Sequence, residues 1–141
     1  MERNIKILLI EDNPGDAYLI EEYLEEFANF PYELIVAETL GEALRVLKEK
    51  HFDVILLDLE LPDSYGINTF LSVHNKNPLI PIIILTGLND EKVGNYAIKK
   101  GAYDFLVKGQ TENRLLECIL QCFVEHKKRL SSTADECYFQ Y

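Results

Sequence analysis

Apolar and polar positions follow two periods along the chain, one typical of buried strands and one typical of amphipathic helices. Some predicted strands, such as 82–85, are apolar at every position, which predicts that they are buried on both faces. Between and after the runs, apolar residues recur every three or four positions, which predicts five helices. The pattern predicts an α/β fold, an open doubly wound parallel sheet with helices on both faces. The five predicted strands are 5–10, 33–38, 53–58, 81–85 and 103–107.

Local signals place the ends of the predicted helices. Asn13 with Pro14 marks the start of the first helix, and Thr39 followed by Glu42 is a capping-box pattern at the second. The predicted caps of the fourth and fifth helices are Asn89 and Thr111. The predicted apolar stripe of the first helix consists of Ala17, Ile20, Leu24 and Phe27. The predicted inward positions of the fifth helix are Leu115, Ile119, Cys122 and Phe123.

The length of 141 residues, with 48% hydrophobic and 27% charged residues, is ordinary for one globular domain. We expect this domain at residues 1–130, followed by a short tail at 131–141 that shows no clear period and no output domain. No apolar run approaches the ~20 residues of a membrane span, so we expect no membrane insertion. The N-terminus has no signal-peptide pattern, and three cysteines make no disulfide framework. A cytoplasmic protein is therefore predicted.

The net charge restricts the partners. Fourteen Lys and Arg residues against 24 Asp and Glu residues give a charge of −10 at pH 7. A negative protein repels the phosphate backbone, so we expect no direct binding to nucleic acid.

Charged and polar side chains follow four of the predicted strands. Glu11 and Asp12 follow the first strand, Asp58 ends the third, Thr86 follows the fourth and Lys108 the fifth. The carboxyl ends of parallel strands meet at one edge, where open α/β sheets bind their ligands. We therefore expect three carboxylates, a hydroxyl and an ammonium to converge there.

Three neighbouring carboxylates need positive charge. Each pair repels by ~4 kcal/mol at 4 Å and an effective dielectric of 20, so three pairs cost on the order of 10 kcal/mol. Lys108 offsets only part of this repulsion, and a divalent cation would offset the rest. All-oxygen ligands favour Mg²⁺ or Mn²⁺. The same set suits phosphoryl transfer to a carboxylate, with the metal, Lys108 and the Thr86 hydroxyl each holding a phosphoryl oxygen.

These landmarks resemble the receiver domain of two-component response regulators. The resemblance covers residues 5 to about 128 and implies strand order 2-1-3-4-5, the flavodoxin-like receiver fold. The matching stretches are Glu11-Asp12, Leu57-Asp58 with Pro62 and Gly66 beyond it, Ile84-Leu85-Thr86-Gly87, and the segment from Gly101 to Lys108.

The resemblance also implies residue roles. Asp58 is the implied phospho-acceptor, supplied by a sensor histidine kinase or a phosphotransfer protein. Thr86 and Phe105 take the positions of the switch hydroxyl and the switch aromatic residue, and Lys108 that of the family's lysine. The implied Mg²⁺ ligands are Glu11, Asp12, the Asp58 side chain and the Glu60 backbone carbonyl.

The implied function is a stand-alone signalling switch rather than an enzyme, with only self-phosphotransfer and autodephosphorylation activity. Partner binding is expected to change on the face of helix four, strand five and helix five, from about residue 89 to 129. Formation of a homodimer on phosphorylation is one expected outcome. Side chains of this face expected to be able to meet a partner are Tyr96, Tyr103, Cys118 and Cys122.

Three positions depart from the family pattern, and one of them, Leu88, is an apolar residue two past Thr86. Gly109 follows the lysine, where the family commonly has a proline in a cis bond. Glu60 adds a carboxylate close to the expected phosphoryl group. Glycine adopts unusual backbone angles readily, so the loop can still form.

Other functions stay open at this point. A haloacid-dehalogenase-like phosphatase is the main alternative, although that family needs an Asp two residues after its nucleophile and this chain has Glu60. A flavodoxin-like electron carrier lacks support, because Glu11 and Asp12 stand where its phosphate loop would be. Cys118, Cys122 and His126 do not form a shared metal site, since the outer two lie ~12 Å apart along a helix. Packing is the better interpretation for them.

Overall fold

The computed structural model describes residues 4–87, 90–109 and 114–139. Its strands are β1 (Ile5–Ile10), β2 (Tyr32–Ala37), β3 (Val54–Asp58), β4 (Glu60–Leu61), β5 (Ser64–Tyr65), β6 (Ile82–Thr86) and β7 (Asp104–Val107). Its helices are α1 (Pro14–Phe27), α2 (Leu40–Glu49), α3 (Ile67–Lys76), α4 (Glu91–Lys99) and α5 (Leu115–Phe139).

Five of these strands form one parallel sheet in the order β2-β1-β3-β6-β7. Since β6 and β7 are the fourth and fifth strands of this sheet, the predicted order 2-1-3-4-5 is confirmed. The register pairs Ile10 with Leu57 and Asp58 with Leu85, so the strands that carry the candidate residues end close together. The strand order reverses between β1 and β3, which is where such folds place their sites.

Both faces of the sheet are buried, as the uninterrupted apolar runs predict. Along β3, Ile55 and Leu57 belong to one apolar cluster, whereas Val54 and Leu56 belong to the other. This alternation follows from the two-residue period of a strand. The first cluster includes buried residues of α2, α3 and α4, namely Ala43, Val46, Phe70, Val73 and Ala97. The second includes residues of α1 and α5, namely Ala17, Leu24, Leu115, Ile119 and Cys122.

The two predicted caps within the described residues are both formed. The Asn13 side chain accepts from the Asp16 N–H at 3.0 Å, and Pro14 is the first residue of α1. The Thr39 hydroxyl accepts from the Glu42 N–H at 3.0 Å at the start of α2. These contacts satisfy backbone donors that a helix start leaves without partners. The predicted caps Asn89 and Thr111 lie outside the described residues.

Burial confirms or corrects the expectations for three individual side chains. Phe27, on the predicted apolar stripe of α1, is 55% exposed; it is the last residue of the helix, and its ring centroid lies 5.2 Å from that of Tyr23. Packing was the better interpretation for Cys118 and Cys122, and it is confirmed, whereas the expectation that they could meet a partner is wrong. Both are buried in the core beneath α5, 5% and 1% exposed, so neither is available at the surface.

Helix α5 is longer than the apolar period predicts. It continues to Phe139, so the expected boundary at residue 130 falls inside a helix. Among the described residues, no helix combines the length and the apolar character that crossing a bilayer requires.

Candidate functional site

Three carboxylates meet at the carboxyl edge of the sheet. Glu11 and Asp12 follow β1, Asp58 is the last residue of β3, and one oxygen from each lies within 4.8 Å of the other two. Glu11 and Asp58 are buried and Asp12 is half-buried. The structure therefore brings together the acidic residues that the strand ends predicted.

Lys108 joins this cluster from the end of β7. Its Nζ lies 2.7 Å from Glu11 Oε1 and 3.0 Å from Asp58 Oδ2. A third carboxylate, that of Asp16, lies 2.9 Å from the same nitrogen. Asp16 was not predicted as a site residue, because an acid in the first turn of a helix is usually explained by the helix dipole. Its position in the first turn of the helix that starts at the site was the available signal.

The carboxylate of Asp58 is held through both of its oxygens. Oδ1 accepts from the backbone N–H of Glu60 at 3.0 Å, and Oδ2 accepts from Lys108. Glu11 is also held on both sides, since its Oε2 accepts from the Asn13 N–H at 3.3 Å. Both carboxylates are therefore held by contacts with the protein itself.

The pKa values of Glu11 and Lys108 reflect both burial and the charges of their neighbours. Burial raises the pKa of the Glu11 carboxyl to about 7, together with its hydrogen bond to Asp58 and against the effect of Lys108. Burial lowers the pKa of Lys108, but its contacts with Glu11, Asp16 and Asp58 outweigh burial and hold that pKa above its usual value. Lys108 is thus charged at neutral pH, and one ammonium does not neutralise the cluster.

An open cleft lies beside Asp58. It has a volume of about 180 Å³. The Thr86 side chain lines it, and in this state the Thr86 hydroxyl donates to the Leu106 carbonyl at 3.5 Å. The charged residues that line the cleft are Asp58, Glu60, Asp90 and Lys108. A tetrahedral anion has room here between the carboxylate, the hydroxyl and the ammonium.

Phe105 lies one strand beyond this cleft and contacts α4. It pairs with Ile84 in the β6–β7 register, and its ring packs directly against Gly94. The ring is half-buried, between the site and the surface of α4 and β7. The expected position of the switch aromatic residue therefore links these two elements.

The loop after Lys108 forms without a proline. Lys108 donates its backbone N–H to the Thr86 carbonyl at 2.7 Å, which continues the β6–β7 pairing. Gly109 then takes a φ of +84°, in the left-handed region that favours glycine. In the described residues, no peptide bond is cis.

The loop after Asp58 contains a short hairpin that was not predicted, because two-residue strands show no period. In this hairpin β4 pairs with β5 in antiparallel fashion. Its turn residue Asp63 accepts from the backbone N–H groups of Leu40 at 2.8 Å and Gly41 at 3.0 Å. The hydrogen bonds from Gly41 and Leu40 lower the pKa of Asp63. Asp63 thereby ties the loop that carries Glu60 to the N-terminus of α2.

An open doubly wound sheet with this acidic edge and its lysine defines the class of receiver modules. The chain matches the model of the response regulator receiver domain over residues 7–120. It is therefore a member of the response regulator receiver domain family of two-component signalling. This membership decides against the phosphatase and the electron carrier that the sequence alone left open.

Individual proteins that are similar to this chain are also response regulators or receiver domains. The chain is 30% identical over 115 residues to the transcriptional regulatory protein ZraR of Salmonella typhimurium, which covers 82% of this chain and 25% of that protein. A receiver domain protein from Clostridium thermocellum has 30% identity and a TM-score of 0.77, covering 89% of this chain and 98% of that one. A CheY-like receiver domain protein from Methanospirillum hungatei has 26% identity and a TM-score of 0.78, covering 90% and 99%. The chain spans about a quarter of the length of the curated relative ZraR.

Proposed function

We propose that this protein is a phosphorylation-dependent switch that accepts a phosphoryl group on Asp58. The donor is a sensor histidine kinase or a phosphotransfer protein, in keeping with the receiver family. The observation that carries the proposal is the placement of Asp58, which ends a central strand, faces Glu11 and Asp12, and contacts Lys108 at 3.0 Å. The cleft beside it gives a phosphoryl group access.

The chemistry assigned to Asp58 is nucleophilic. One carboxylate oxygen forms the new O–P bond while the P–N bond to the donor imidazole breaks, and the leaving nitrogen takes a proton from water. The Lys108 ammonium and the Thr86 hydroxyl are placed to donate to phosphoryl oxygens, where negative charge must be stabilised. For Thr86 this requires a turn away from the Leu106 carbonyl.

The acidic cluster fits a divalent cation, Mg²⁺ or Mn²⁺. The residues that would hold it are Glu11, Asp12, the Asp58 side chain and the backbone carbonyl of Glu60. All are oxygen donors, and the pKa of Glu11 is raised first by burial and then by the neighbouring Asp58. When bound, such an ion supplies positive charge for the transferring phosphoryl group. The ion and Lys108 together would then offset the repulsion among Glu11, Asp12 and Asp58.

The output of the switch is assigned to the face of α4, β7 and α5. Phe105 lies on β7, the strand that Lys108 follows, and packs against Gly94 of α4. The surface presents Tyr96, 46% exposed, and the ion pair between Asp104 and Arg114 at 3.0 Å. Binding of a partner, or of a second copy of the chain as a homodimer, is expected to change here on phosphorylation.

The remaining assignments follow from this role. The protein acts in the cytoplasm by docking to other proteins, without direct contact with nucleic acid and without membrane insertion. It turns over no separate substrate, since its activity is limited to its own phosphorylation and dephosphorylation. The receiver unit is assigned to residues 1–130.

Uptake of phosphate tests the proposal. The protein is incubated with Mg²⁺ and acetyl phosphate, and the product is examined by mass spectrometry for an acid-stable, base-labile phosphate. Asp58→Asn should take up none, because it keeps the shape but lacks the nucleophilic charge. Asp104→Asn removes a carboxylate outside the site and serves as the matched control. Uptake by Asp58→Asn at the wild-type rate would show that another residue is the acceptor.

A further inference from the structure

The ammonium of Lys108 has three carboxylate partners. Its Nζ lies 2.7 Å from Glu11, 2.9 Å from Asp16 and 3.0 Å from Asp58. An ammonium group has three hydrogens to donate and no acceptor. All three carboxylates lie within ion-pair distance of this nitrogen, and the ammonium donates hydrogen bonds to two of them, Asp16 and Asp58. A phosphoryl oxygen that takes the hydrogen donated to Asp16 gains a bond while Lys108 keeps its contacts with Glu11 and Asp58.

The three carboxylates differ in how easily they can be separated from Lys108. The Glu11 side chain is 0% exposed, that of Asp58 is 10% exposed, and that of Asp16 is 39% exposed. A buried carboxylate that loses its ammonium stays desolvated and unpaired, which is strongly unfavourable. A carboxylate as exposed as Asp16 can be rehydrated instead. Asp16 is therefore the partner whose release requires the least free energy.

The two buried carboxylates are also fixed by contacts that Asp16 lacks among its described hydrogen bonds. The Asn13 N–H donates to Glu11 Oε2 at 3.3 Å, and the Glu60 N–H donates to Asp58 Oδ1 at 3.0 Å. Asp16 approaches from the first turn of α1, on the side of Lys108 that faces a groove lined also by Glu22 and Gly109. The carboxylate of Asp16 therefore contacts Lys108 from the solvent-exposed side of the group formed by Glu11, Asp12 and Asp58.

We propose that Asp16 is a positioning residue that holds Lys108 in the unphosphorylated state and releases it when a phosphoryl group arrives. The inference rests on the proposed function, because it assumes that the phosphoryl group is attached to Asp58. No covalent bond changes at Asp16. The hydrogen that Lys108 donates to Asp16 is donated to a phosphoryl oxygen instead, and water replaces Lys108 at the carboxylate.

Such a contact works against the phosphorylated state. Removing the charge of Asp16 frees one hydrogen of Lys108 in advance, so a phosphoryl mimic should bind more tightly. A partly exposed ion pair is weak, and its loss corresponds to a change of about threefold to fivefold in the dissociation constant.

The test is the affinity for beryllofluoride at saturating Mg²⁺, measured by fluorine NMR. Asp16→Asn should lower the dissociation constant about threefold to fivefold. Glu22→Gln is the matched control, because it removes the same charge from the same helix and groove without a described contact to Lys108. It should stay within about twofold of the wild type. An affinity of Asp16→Asn equal to that of Glu22→Gln, or weaker than wild type, would overturn the inference.

A second measurement uses the wild-type protein and needs no variant to fold. The carboxyl carbon of Asp16 is followed by NMR as beryllofluoride is added. Its chemical shift should move to the value of a hydrated carboxylate, whereas that of Glu22 should stay constant. An unchanged Asp16 signal in protein saturated with the mimic would mean that Asp16 keeps Lys108.

The experiments distinguish a failure of the proposed function from a failure of the role of Asp16 alone. Wild-type protein that does not bind beryllofluoride, or Asp58→Asn that binds it equally well, would contradict both the proposed function and the role of Asp16. Wild-type protein that binds the mimic through Asp58, with no effect of Asp16→Asn, contradicts the role of Asp16 alone.

Discussion

The ring of Phe105 lies directly against Gly94, so closely that a β-carbon at position 94 would be 2.5 Å from Cγ of the ring. Gly94 is buried within α4, where glycine is about 1 kcal/mol less favourable than alanine. The absence of a side chain therefore provides the space in which the ring sits. Any motion of Phe105 away from this position also changes what α4 packs against.

Gly94→Ala should destabilise the protein despite the better helix propensity of alanine. The new methyl group overlaps the ring, and such overpacking costs about 1–3 kcal/mol. The free energy of unfolding, measured with urea, should fall in Gly94→Ala but not when Phe105→Ala is already present. Gly41→Ala is the control, since a β-carbon there meets Asp63 only at 3.6 Å. Equal effects of Gly94→Ala in both backgrounds would contradict the overlap.

Mg²⁺ should stabilise the folded protein, because it binds the carboxylate cluster only when the strands are assembled. At a concentration of 100 times its dissociation constant, the gain is about 2.7 kcal/mol, seen as a higher melting temperature. Asp12→Ala should raise the stability without Mg²⁺, by relieving repulsion, and abolish the gain. Glu22→Gln should keep the gain. An unchanged Mg²⁺ effect in Asp12→Ala would remove Asp12 from the ligands.

Asp63 should contribute stability that depends on pH. Its folded pKa lies below the unfolded value because Gly41 and Leu40 donate backbone hydrogen bonds to the carboxylate. The contribution is therefore complete above the unfolded pKa of about 3.9 and is lost as the pH falls through the folded value. Asp63→Ala should lower the free energy of unfolding by about 1 kcal/mol at pH 7.

The same difference measured at successively lower pH provides the check. Wild type and Asp63→Ala should converge in stability once the carboxylate of the wild type is protonated. A difference that stays constant down to the lowest pH would show that Asp63 acts through packing rather than charge.

The cost of replacing Gly109 should depend on how readily the new residue adopts a positive φ, and not on the space available to its side chain. Its φ of +84° is unfavourable for residues with a side chain, whereas a β-carbon there meets nothing within 4 Å. Gly109→Ala should lower the free energy of unfolding by about 1–2 kcal/mol, and Gly109→Asn by less, since asparagine adopts this region more readily. Gly87→Ala, without such a φ, is the control in chemical denaturation. Equal losses for alanine and asparagine would point to another cause.

Most of the sheet could be predicted because short runs of consecutive apolar residues, alternating with helical patterns, are typical of a parallel sheet covered on both faces. The meeting of Glu11, Asp58 and Lys108 followed from parallel strand ends. Other features depend on contacts that a linear pattern does not contain. Asp16 contacts Lys108 across 92 positions of the chain. In the sequence alone, an acid at this position cannot be told from one that only stabilises the start of a helix. The contact of Phe105 with Gly94 likewise forms only when α4 packs on β7, so the sequence alone did not predict it.

The length of α5 has a mechanical consequence. At 1.5 Å per residue, its 25 residues extend about 37 Å, whereas the longest strands of the sheet have six residues and extend about 20 Å. The helix is therefore nearly twice as long as the longest strands, and it begins seven residues after Lys108. If it moves as one body, a tilt of about 5° at its first residue carries the far end through about 3 Å. Slight adjustments next to the acidic site would then become displacements that a bound protein can sense.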